Sequence, residues 1–119
     1  MTDEDKVSFV PDFGDNRDLF DDEQIWCEVQ PMTAEEIRAY QKSMATVKPN
    51  SRDAYERAGK IVARILKDRV SIIHNYEDIK GVAIKTGEDL YARGEPGMID
   101  AVYEGLTEIS VLKKGLRKN

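Results

Sequence analysis

His74 and Cys27 are the one imidazole and the one thiol in 119 residues. Any nucleophilic site would have to use His74 as its base, with Cys27 or a serine attacking. Cys27 lies inside Ile25-Trp26-Cys27-Glu28-Val29, an apolar stretch where a buried thiol is inert. His74 reads as a strand or surface residue. A zinc site wants four nitrogen or sulfur ligands, or three and a water. The two residues here, 47 positions apart, do not make one. Asp12, Asp15, Asp18, Asp21 and Asp22 could offer oxygens to calcium. They lack the alternating-acid loop with its central glycine and terminal glutamate. Asp12-Phe13-Gly14 matches a kinase tripeptide, but no phosphate loop or catalytic loop accompanies it. Gly94-Glu95-Pro96-Gly97 reads as a helix stop followed by a helix start and not as a phosphate cradle. These residues predict no catalytic centre, no cofactor and no metal. They point to a protein that acts by binding.

The elements that would carry such binding can be read along the chain. Val7, Phe9 and Val10 suggest a short strand stopped by Pro11, and Phe13-Gly14-Asp15-Asn16 a turn. Residues 25–29 suggest a second strand that pairs with the first as a hairpin. Thr33-Ala34-Glu35-Glu36 is a capping box, and capping accounts for its paired carboxylates. It opens a helix over 34–45, with Ile37, Tyr40 and Met44 on one face. A second helix is expected over 52–69, capped by Asn50 or Ser51. Its stripe is Tyr55, Ala58, Val62, Ile65, Leu66 and Arg69, with Ile61 widening it. The pairs Arg52–Glu56, Asp53–Arg57 and Glu56–Lys60 support it, and Gly59 weakens it. Residues 70–76 read as extended, with 82–84 as their hairpin partner. Thr86 caps a short helix over 87–92 that Gly94 ends. Pro96 opens a last helix to about residue 110, with Met98, Val102, Leu106 and Ile109 inward and Ile99 and Tyr103 beside them. The basic tail beyond it is expected to fray. The fold class is α+β, with three to four helices dominating and a small antiparallel sheet or hairpins.

Charge is distributed unevenly. The net charge is −5, but residues 1–36 hold twelve acids against two bases, while residues 37–119 hold eleven acids against sixteen bases. The chain reads as one domain over residues 1–119, with an acidic arm at 1–24, in part open to disorder, and a folded body at 25–119. Such an arm either folds back on its own body or presents itself to a basic partner. The bases of 52–69 are interleaved with acids, and with the net negative charge this argues against nucleic-acid binding. No run of about 18 apolar residues predicts a membrane span. The acidic start lacks the marks of a secretory signal, and the lone cysteine suits a reducing compartment.

The order of features has a parallel. An acidic N-terminal region leads to Ile25-Trp26-Cys27-Glu28-Val29, then to Pro31-Met32-Thr33-Ala34-Glu35-Glu36 opening a helix. Ala63-Arg64-Ile65-Leu66-Lys67-Asp68-Arg69-Val70 runs into the extended 71–76. Thr86-Gly87-Glu88-Asp89-Leu90 opens the next helix, and a final helix ends in basic residues. Over residues 23–119 this pattern resembles the tail assembly chaperones of long-tailed bacteriophages. The resemblance implies a non-enzymatic protein of the host bacterial cytoplasm, absent from the finished virion. It would bind the tape-measure protein and recruit tail-tube subunits, with homo-oligomerisation left open. It also implies a longer frameshifted product, for which the Lys113-Lys114 codons are a candidate slippery site; otherwise they encode an ordinary basic tail. The candidate partner contacts are Met98, Val102 and Leu106, which core packing explains better, and Val111 and Leu112, which are the better contacts because a helix end buries less. Two other readings stay open: a structural or connector protein retained in the virion, and an acidic DNA mimic or regulator using residues 1–36.

Overall fold

A computed structural model describes residues 6–48 and 53–118, with Tyr55 and residues 112–118 described by backbone alone. Seven regular elements follow one another: β1 (Val7–Phe9), β2 (Trp26–Val29), α1 (Ala34–Ala45), α2 (Ala54–Arg69), β3 (Val70–His74), α3 (Gly87–Arg93) and α4 (Pro96–Lys118). The sheet is antiparallel, in the order β1-β2-β3. The protein is therefore α+β, with four helices beside a small sheet.

The hairpin of β1 and β2 pairs Val7 with Val29 and Phe9 with Cys27. The acidic loop between the strands is folded around one side chain. Asn16, almost completely buried, donates through Nδ2 to the carbonyls of Pro11 (3.1 Å) and Ile25 (3.0 Å) and accepts from the Ile25 amide (2.7 Å). Phe13 packs edge-on against Tyr76 at 6.4 Å. Over residues 6–24 the acidic segment thus lies against the body through buried contacts, and its carboxylates face outward.

The expected hairpin of 70–76 with 82–84 is only partly present. The ladder partner of β3 is β2, reached across both α1 and α2. The 82–85 segment returns beside β3 with one bridge, Glu77 to Ala83, and with bonds from Ile84 N to the Tyr76 carbonyl (2.9 Å) and from Ile73 N to the Lys85 carbonyl (2.8 Å). Two features divert it. Asn75 takes a left-handed conformation (φ 65°), which turns the chain out of the strand. Asp78 then captures the amides of Lys80 and Val82, both at 2.9 Å, closing a loop in place of a strand. The β2–β3 ladder carries a register shift at Glu28/Val29, so Ser71 is an extra residue opposite that step. Strand alternation alone would send Val70 and Ile73 to opposite faces; the extra residue turns both inward, and both are buried.

Helix starts follow their local signals. Thr33 and Glu36 form the reciprocal capping box (3.1 Å and 2.9 Å), and α1 spans the expected residues. Thr86 accepts from Asp89 N (3.0 Å) at the start of α3. The caps proposed for α2 at Asn50 and Ser51 lie outside the described residues; the helix begins at Ala54, and Asp53 before it makes no side-chain cap. Gly59, costly for an isolated helix, has a packing reason. A Cβ there would come 2.4 Å from the Tyr91 hydroxyl of α3, so the glycine admits close contact between the two helices. The last helix continues to Lys118, beyond its expected end near 110. Leucine, lysine and arginine sustain a helix well, and cations suit a helix C-terminus.

One core joins the elements. Cys27 and Val29, Leu66, Val70 and Ile73, Ile84, Leu90, and Met98, Val102 and Leu106 are all buried within it. Gly105 lets Phe9 of β1 lie on α4, since a Cβ there would come 2.1 Å from the ring. No helix of the described residues is long and apolar enough to cross a membrane.

Candidate partner-binding surfaces

The residues with chemical potential are kept apart by the sheet. Cys27 pairs with Ile73, and Trp26 with His74, so alternation sends Cys27 inward and His74 outward. Burial pushes the Cys27 thiol up to about 12, so almost no thiolate exists near neutrality. On the other face the His74 ring stacks on Trp26 at 3.7 Å and 11°, and its Nε2 lies 3.0 Å from Glu28 Oε2. This is an orienting carboxylate and an imidazole with no thiol on their side of the sheet. Among the described residues, no group of three or more His, Cys, Asp or Glu could hold a metal ion.

The expected partner contacts divide between the two sides of α4. Met98, Val102 and Leu106 are completely buried and belong to the core. Their burial favours core packing over partner contact: hydrophobic spacing marks a helix face that must be covered, and this face is buried in the shared core. Val111 is 54% exposed on the opposite side. The Leu112 side chain lies outside what the structure describes.

Around Val111 is a shallow groove of about 560 Å³ lined by Tyr103, Glu104, Thr107, Glu108 and Val111. Tyr103, Thr107 and Val111 recur every fourth residue and so form one row along the helix. The Thr107 hydroxyl is turned back onto the Tyr103 carbonyl (2.9 Å), which leaves its methyl group as its apolar part. Burial, and then the Tyr40 hydroxyl, push the Tyr103 phenol above its usual range, so it stays neutral. Sequence reasoning named Tyr103 beside the core row, where it does pack, and Val111 as a contact, but did not join them through Thr107 as a row. Its signal is the same four-residue spacing as the core row, shifted around the helix.

A second groove, of about 340 Å³, runs between α1 and α2. Its apolar lining includes Met32, Ala39, Tyr40, Ile61 and Ile65. No residue of α1 is fully buried, although Ile37, Tyr40 and Met44 face the body. The helix is anchored near its start. Glu36 accepts from both Arg69 Nε (3.1 Å) and Arg69 Nη2, and Met32 N donates to Ser110 Oγ (3.0 Å). Partial burial opposes the charge on Glu36, but the bonds from Arg69 and Thr33 outweigh it and hold the carboxyl below its ordinary value. At the other end of the molecule the Val82 amide, with Arg93 (2.6 Å) and the Lys80 amide, holds Asp78 below the usual carboxylate range.

No family model matches the chain, and neither a curated protein nor a solved structure matches it.

Proposed function

We propose that this protein is a non-catalytic holding factor for a helical client, acting as the tail assembly chaperones of long-tailed phages act. On this reading it binds the tape-measure protein in the host cytoplasm, keeps it soluble and aids assembly of tail-tube subunits. The supporting observation is the state of α1. It is a capped, amphipathic helix of 12 residues without one buried side chain, bordered by an apolar groove shared with α2. An amphipathic client helix can enter such a groove against Tyr40, Ile61 and Ile65, the mode by which helices recognise grooves in general. The order of strands, caps and helices that suggested the family accords with this reading.

The test is co-expression with a tape-measure protein, the client that this reading names. That client is expected to move from the pellet to the supernatant. The double variant Tyr40→Ser/Ile61→Ser is expected to return it to the pellet while keeping its own helical circular dichroism. A client that stays insoluble with the unaltered protein overturns the proposal. So does purified virus in which mass spectrometry finds this chain as a stoichiometric component.

A further inference from the structure

The outer side of α4 carries two rows. Beside Tyr103, Thr107 and Val111 run Asp100, Glu104 and Glu108, also every fourth residue and all exposed. None of the three acids has an ion pair among the described residues. Within the turns that carry the row the helix supplies no cation, because its sequence holds no lysine or arginine between Pro96 and Leu112; its bases, Lys113, Lys114, Arg117 and Lys118, follow the row. Like charges four residues apart work against the helix that carries them. An apolar row bordered by an unneutralised acidic row is complementary to a helix with the opposite border.

We propose that this face of α4 seats an amphipathic helix of the client whose apolar row is flanked by lysines or arginines, over about three turns. The inference rests on the reading of the protein as a holder of helical clients and adds the sign of the charge that it selects. A second copy is a poor occupant of this face. Pairing α4 with itself in antiparallel fashion about a point midway between Glu104 and Glu108 brings flank against like flank, so Glu104 of one copy would meet Glu108 of the other. Nucleic acid and anionic membrane are excluded by the sign of the row.

Two synthetic helical peptides test it, identical in their leucine row and bordered by lysines in one and glutamates in the other. Each is titrated against the full chain by fluorescence anisotropy. The lysine-bordered peptide is expected to bind, more weakly as salt rises, and the glutamate-bordered one to bind far less. Asp100→Asn/Glu104→Gln/Glu108→Gln is expected to weaken the lysine-bordered peptide roughly tenfold, as three partly exposed ion pairs would. Val111→Ser is expected to weaken either peptide. Asp18→Asn/Asp21→Asn/Asp22→Asn makes the same change in net charge elsewhere and is expected to leave affinity unchanged. Equal losses in the two triple variants would show attraction to bulk charge and overturn the proposal. Equal binding of the two peptides would do the same. If the α4 triple variant loses peptide preference yet still solubilises the co-expressed client, the seat on α4 holds for the peptide and is refuted for the client. If the unaltered chain never solubilises the client, the chaperone reading itself fails.

Discussion

Helices α2 and α4 are built alike on the inside and unlike on the outside. Each sends a row of aliphatic side chains into the same core, Leu66 from one and Met98, Val102 and Leu106 from the other. On its solvent side α2 pairs three of its bases with acids four residues away. Arg57 meets Asp53 at 3.5 Å, Lys60 meets Glu56 at 3.7 Å and Arg64 meets Asp68 at 4.0 Å. The outer acids of α4 have no such partners among the described residues. Both helices are amphipathic, so periodicity alone does not separate their outer surfaces. Charge pairing along the outer face separates them.

The largest expected effect addresses the shared inside. Leu66→Ala and Leu106→Ala should each destabilise the fold by about 2–5 kcal/mol in urea unfolding, because each leaves a cavity in a closed core. A loss below about 1 kcal/mol for Leu106 would place α4 outside the core and dissolve the comparison. A smaller effect concerns the tie between α1 and α2. Glu36→Gln should cost about 1 kcal/mol or less near neutrality, since Glu36 remains 40% exposed and solvent screens its pair with Arg69. Its carboxyl is held below the ordinary value of about 4.3, so the contribution is complete above that value. It fades as pH falls through the lowered value, and variant and parent should converge in urea midpoint under strongly acidic conditions. The smallest effect tests the outsides directly. Asp53→Asn/Glu56→Gln/Asp68→Asn should lower stability by a few tenths of a kcal/mol per pair, and Asp100→Asn/Glu104→Gln/Glu108→Gln should raise it by a similar amount. Shifts of the same sign in the two triple variants would remove the distinction between the helices.

What was legible in the chain follows from the range of the forces involved. The span of α1 was readable because Thr33 and Glu36 satisfy each other's backbone within one turn. The hairpin of β1 and β2, the cap at Thr86 and the stop at Gly94 are local in the same way. The partner of β3 was not readable, because β2 lies forty residues earlier and the competing segment is close at hand. The buried role of Asn16 was hidden for a related reason: it closes a loop through backbone groups whose positions depend on the loop already being closed. On α4 the core row was found and its purpose left open. The outer apolar row shared its spacing but entered only as separate residues, Tyr103 beside the core and Val111 as a contact, and the acidic row beside it was present in the sequence without being singled out. Burial, which only the fold supplies, sorts those rows.

Ser110 has a mechanical consequence. Its hydroxyl donates to the Leu106 carbonyl (2.7 Å) while it accepts from Met32 N, joining chain positions 78 residues apart. A pull along α4 would therefore load that junction, and with it the residue that immediately precedes the cap of α1. One hydroxyl thus ties the root of α1 to α4.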